Sequence, residues 1–123
     1  MRILYIALAG IAGTLARYSF ETWIHGRTAT LAVNLLGSFV LGFIMHYAIR
    51  STAISVDLRG ALTIGFCGAF TTMSTFSYES LGLVLQGSYA RAVAYMGATL
   101  VGCLATVFGG MALAERVVSG LSH

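Results

Sequence analysis

Thr71-Thr72-Met73-Ser74-Thr75-Phe76-Ser77 is the stretch whose side chains are best equipped for chemistry, with five hydroxyls in seven residues. It sits inside an apolar segment running from about Gly60 to Leu85 and follows Gly65 and Gly68. A helix spanning a membrane has no reason to collect hydroxyls at its midpoint. Non-helical backbone at membrane depth survives only where protein or a water-filled cavity surrounds it. The stretch therefore predicts a helix broken near its middle, and unwound backbone at that depth is how membrane proteins build ion sites.

The elements that must position such a site are read from composition. Of 123 residues, 58% are hydrophobic and 9% are charged, against roughly a quarter charged in a soluble domain. There is no lysine, and the few arginines are scattered, which excludes a nucleic-acid surface built from clustered basic residues. Apolar runs over about residues 3–20, 29–49, 60–85 and 92–113 predict four transmembrane helices in a single membrane domain, each near or above the ~20 residues a bilayer core requires. A cleaved leader over the first run is the weaker reading, because the remainder would still be membranous. Proline is absent and glycines number 15, so any break must come from Gly, Ser and Thr. Cys67 and Cys103 lie in apolar stretches without Cys-x-x-Cys spacing and read as free thiols. Residues 50–59 read as the longest polar loop and residues 115–123 as a polar tail.

Four spans put both termini on one side, with Arg2, Arg50, Arg59 and Arg116; Arg17, Arg27 and Arg91 fall toward the other. A positive-inside bias this small permits insertion in both orientations, and hence an antiparallel dimer. Small residues four apart (Ala61, Gly65, Ala69; Ala98, Gly102, Thr106, Gly110) suit close helix packing in lipid.

The remaining polar groups in the spans are donors. Asn34 and Ser38 share a face of the second span, and Tyr95, Thr99 and Cys103 recur at i, i+4, i+8 in the fourth. A single Ser or Thr in a helix commonly bonds its own i−4 carbonyl, but a ladder facing an amide and a hydroxyl cluster makes a polar track. No carboxylate lies deep in the first, second or fourth span, whereas a proton-coupled pump generally needs one. Hydroxyls, amides, Arg17 and the electropositive edges of Phe70 and Phe76 all suit an anion. No motif pairs a nucleophile with a base, so no enzyme is expected.

Gly65-x-x-Gly68-x-x-Thr71-Thr72-Met73-Ser74-Thr75-Phe76-Ser77 resembles the third-helix signature of the Fluc (CrcB) fluoride channel family. Gly10-x-x-Gly13-x-x-x-Arg17-Tyr18, Val33-Asn34-x-x-Gly37-Ser38-Phe39-x-x-Gly42 and Tyr95-x-x-x-Thr99 resemble its first, second and fourth helices. The resemblance covers nearly the whole chain. It implies an all-α, dual-topology, antiparallel homodimer in the cell (inner) membrane, with two pores that pass fluoride out of the cytoplasm by passive electrodiffusion. It further implies a structural sodium ion at the dimer interface, held by the carbonyls of Gly68 and Thr71 of each chain. Asn34, Ser74, Thr75, Phe76, Tyr95 and Thr99 match the fluoride pathway, Arg17 a vestibule arginine, and Glu79 an acid near a pore mouth. Met73 departs from the pattern, which has its first pore phenylalanine there. Rival readings are a small multidrug-type proton-coupled exporter, which needs a glutamate in the middle of the first span, and a structural membrane protein whose polar groups only join helices.

Overall fold

In the computed structural model, which describes residues 1–122, the regular elements are all helical. Helix α1 covers Arg2–Trp23 and α2 covers Arg27–Arg50. A short coil leads to α3 (Val56–Gly60), which continues as a π-helical stretch, Ala61–Cys67, and ends in the single turn α4 (Gly68–Phe70). Two extended residues follow, and then α5 (Met73–Leu85) and α6 (Tyr89–Leu121). Helices α1, α2 and α6 are each long and apolar enough to cross a membrane.

Most large apolar side chains face outward: Ile3 is 84% exposed, and Leu104 and Phe108 are each 73% exposed, whereas Val33 and Leu83 are the largest fully buried side chains. Exposure on that scale exceeds what a soluble monomer shows, and lipid is the solvent such a surface matches. Without a hydrophobic force between helices in lipid, cohesion depends on close backbone approach. Helix α2 lies along α6 for most of its length. There, a Cβ on Gly42 would collide with the Val107 carbonyl, and one on Gly110 with the Phe39 carbonyl. Helix α1 instead lies on the π-helical stretch and α4, where a Cβ on Gly65 would meet the Ile6 carbonyl oxygen at 2.6 Å.

The helix ends differ most from the sequence expectation in two places. The expected loop over residues 50–59 narrows to Ser51–Ser55, because the Ser55 hydroxyl accepts from the Leu58 N–H at 3.2 Å and starts α3 early. The expected polar tail is helical as far as Leu121; His123 lies outside the described residues. The cause is tertiary. Glu115 is tied to α2 by His46 at 2.7 Å and Arg50 at 2.9 Å, and Ala114 beside it is fully buried. With 33 residues, α6 reaches roughly 50 Å, well beyond ~30 Å of hydrocarbon. The π-helical stretch had no signal in the sequence; its i→i+5 bonding is typical of functional irregularities within helices.

Gly110→Ala should lose about 1–3 kcal/mol, because the α2 backbone has no room for the methyl group. Gly82→Ala, where nothing lies within 4 Å, should be neutral or slightly stabilising. Thermal unfolding of the two variants in detergent measures the contrast.

Candidate functional site

The break falls at Thr71 and Thr72, both with extended backbone (φ −82°, ψ 158° and φ −147°, ψ 108°). Extended residues cannot continue the i→i−4 ladder, so their polar groups need other partners. Asn34, buried in α2, supplies both for Thr72. Its Oδ1 accepts the Thr72 N–H at 2.8 Å, and its Nδ2 donates to the Thr72 carbonyl at 3.2 Å. The Thr72 hydroxyl then caps α5 by accepting the Thr75 N–H at 3.3 Å, and it donates to the Thr75 hydroxyl at 3.0 Å.

On the other side of the break, Thr71 closes α4 by donating its N–H and its hydroxyl to the Cys67 carbonyl. Arg17 of α1 donates from Nε to the Ala69 carbonyl at 3.1 Å and lies 3.7 Å from Glu21. A guanidinium at this helix C-terminus also matches the negative end of the helix dipole. Among the described residues, no donor reaches the carbonyls of Gly68 or Thr71 from across the break. The N–H groups that would have bonded them in a continuous helix, those of Thr72 and Thr75, go to Asn34 and the Thr72 hydroxyl. Phe70 is wedged between Phe20, edge-on at 6.3 Å, and Phe66, stacked at 5.7 Å.

A groove of about 370 Å³ runs beside the break. Its α2 wall carries Asn34, Gly37, Ser38 and Leu41; Cys67, Gly68 and Thr71 face it from the first half of the broken helix. Met73 and Phe76 line it from α5, and Thr99, Cys103 and Leu104 from α6. Of the residues singled out in the sequence, Asn34, Gly68, Thr71, Met73, Phe76 and Thr99 therefore meet here. Phe76 is buried and Met73 is 68% exposed. Ser74, Thr75, Tyr95, Arg17 and Glu79 lie outside this groove. Ser74 is exposed beside the Thr72 hydroxyl, at 3.4 Å. Tyr95 packs on Phe76 with ring centroids 5.4 Å apart, and its hydroxyl donates to Glu79 at 2.6 Å. Thr30 donates to the other Glu79 oxygen at 3.1 Å.

The hydroxyls of the expected track are thus already committed within the chain. Thr99 donates to the Tyr95 carbonyl at 2.8 Å, and Ser77 and Ser80 bond their own i−4 carbonyls. Sequence reasoning passed over Thr72 and Thr30 as partners. Thr72-x-x-Thr75 carried the spacing of a helix cap, and Thr30 lies one turn before Asn34 on the same face of α2.

Asn34→Ala should leave the Thr72 N–H and carbonyl unpaired in a buried place, at about 1–3 kcal/mol for each group. Asn34→Ser keeps a donor and an acceptor on a shorter side chain, so thermal unfolding in detergent should place it between wild type and Asn34→Ala.

Comparison of the sequence with known proteins identifies its relatives. The sequence profile described as "CrcB-like protein, Camphor Resistance (CrcB)" matches residues 4–111. The chain is 43% identical over 116 residues to a protein of Stutzerimonas stutzeri (strain A1501) named fluoride-specific ion channel FluC, covering 89% of this chain and 94% of that one. It is 42% identical over 123 residues to the protein of the same name from Pelobacter propionicus, covering 95% of each. Fluoride-specific ion channel FluC 2 of Listeria monocytogenes serovar 1/2a is 36% identical over 126 residues, covering 100% of this chain and 98% of that one. With matches of this extent along nearly its whole length, the chain belongs to the CrcB-like family, the Fluc (CrcB) family its motifs resemble.

Proposed function

We propose that this protein is a fluoride channel that lets the anion leave the cytoplasm passively, down its electrochemical gradient. The observation that carries the reading is the near full-length similarity to proteins named fluoride-specific ion channels, on a chain whose broken helix borders a groove with no acidic residue in its lining. Fluoride is small and strongly hydrated. A pore passes it only by replacing water with donors of matching strength, and selectivity follows from that match. The proposed route runs along Met73, Ser74, Thr75 and Phe76 and past Thr99 and Tyr95. The Phe76 ring presents an electropositive edge. Hydroxyls that donate to carbonyls of their own helix turn toward the ion by rotation about one bond. Arg17 raises the local anion concentration at a vestibule, and Glu79 organises Tyr95 and Thr30 near a mouth.

The functional unit in this reading is an antiparallel homodimer in the cell (inner) membrane, inserted in both orientations, with one pore on each side. The support is geometric: the groove is open along the surface of one chain, and Met73 is exposed on its rim. A second chain would close it. The carbonyls of Gly68 and Thr71 fit a structural sodium ion shared with the partner, because they are oxygen donors without an intrachain donor and such oxygens suit a hard cation. Bound there, the ion would supply positive charge to backbone that lipid cannot satisfy. The exporter reading is disfavoured because the only acid in α1, Glu21, lies near its end and faces Arg17.

Protein reconstituted in liposomes should release fluoride and retain chloride; equal leakage of both would defeat the selectivity claim. Met73→Phe places a ring edge, electropositive toward an anion, where the family pattern has its first pore phenylalanine. It should raise fluoride flux on the order of twofold to tenfold, with the dimer unchanged by cross-linking. Exchanging sodium for a bulky organic cation should lower the thermal stability of the detergent-solubilised protein.

A further inference from the structure

A second cavity, about 200 Å³ in volume, lies between α2 and α6 near the C-terminal end of α2 and apart from the break. Its lining includes Met45, His46 and Met111, with Leu41, Gly42 and Val107 around them. Two thioethers and an imidazole thus face one small apolar space. Met45 and Met111 are each 39% exposed on the single chain.

The imidazole is held as a metal ligand is held. His46 Nε2 lies 2.7 Å from Glu115 Oε2, and a carboxylate only accepts, so Nε2 carries the proton. In the neutral ring that leaves a lone pair on Nδ1, and among the described residues no hydrogen bond engages Nδ1. Arg50 fixes the other Glu115 oxygen at 2.9 Å. A histidine whose second nitrogen donates to a carboxylate is the usual support for a metal-binding imidazole. Met111 and Glu115 are one turn apart on α6, which puts the thioether and the anchoring carboxylate on the same face.

We infer that Met45, His46 and Met111 form a binding site for a soft monovalent cation, copper(I) or silver(I). Thioether sulfur selects soft ions, and imidazole accompanies it well. Zinc is a poor fit, since its structural sites are built from four Cys, His or carboxylate ligands, and no cluster of three such residues exists among the described residues. The site stands independently of the fluoride reading.

The test titrates silver(I) into the purified wild-type protein carrying 13C-methyl methionine. The thiols of Cys67 and Cys103 compete for silver(I), and a Cys67→Ala/Cys103→Ala protein is run in parallel to remove them. In the cysteine-free protein the first equivalent should shift the methyl signals of Met45 and Met111 and the His46 ring, leaving Met1, Met73 and Met96 in place. Met45→Leu/Met111→Leu conserves volume and should bind that equivalent at least tenfold more weakly. His46→Gln still donates to Glu115 but has no ring lone pair, and should weaken binding while the Glu115 contact persists. Glu115→Gln should cost about tenfold, as loss of a supporting carboxylate usually does. Uniform shifts of all five methyls, unchanged affinity in the double leucine variant, or zinc(II) binding at His46 without a methionine shift would each overturn the assignment.

Discussion

The pairing of Asn34 with both backbone groups of Thr72 is the interaction on which the rest depends. A helix can stop in the middle of a membrane only if its severed hydrogen bonds find partners. One side-chain amide carries a donor and an acceptor a short distance apart, and so satisfies an N–H and a carbonyl together. Placed on α2 beside the break, it turns a costly defect into a defined conformation. It also redirects the Thr72 N–H, and this leaves the Gly68 carbonyl without its helical partner.

The two halves of the broken helix lean on different neighbours. The first half is gripped by α1 through the Arg17 bond to Ala69, the Phe20–Phe70–Phe66 cluster and the backbone approach at Gly65. The second half rests on α6, with Phe76 against Tyr95 and Glu79 bonded to the Tyr95 hydroxyl. Thr71 and Thr72 are the joint between these supports, and α2 spans it with Asn34 and Gly37, whose missing side chain admits Thr71 and Phe70. The groove exists because the chain must pass from one support to the other without continuous helix.

This division also explains why so many hydroxyls near the break bond their own carbonyls. In an apolar environment a free hydroxyl hydrogen is costly, and a carbonyl one turn back is always within reach. Thr71, Ser77, Ser80 and Thr99 all take that option. Such bonds are cheap to exchange, because each carbonyl keeps its backbone donor when the hydroxyl turns away. The chain therefore holds its polar groups in a state compatible with lipid while keeping them close to the groove.

The amino-acid sequence by itself determined the membrane class, the approximate extents of the helical segments and the existence of a break near Thr71, since hydropathy, the lack of proline and a run of hydroxyls are local properties. It also picked out Asn34 and Thr99, because polar residues in apolar spans stand out against their background, and Phe76 through its ring edge and the family resemblance. It did not determine how those residues are used. That Asn34 serves the Thr72 backbone, that the Tyr95 hydroxyl goes to Glu79, and that Thr30 completes that set depend on contacts between helices distant in the chain. The length of α6 was hidden for the same reason: Glu115 reads as the start of a polar tail until α2 brings His46 and Arg50 beside it. The π-helical stretch was equally illegible, because a shift from i→i+4 to i→i+5 bonding leaves composition and hydropathy unchanged. Local pattern chooses the solvent and the segments; only tertiary contact decides which donor meets which acceptor.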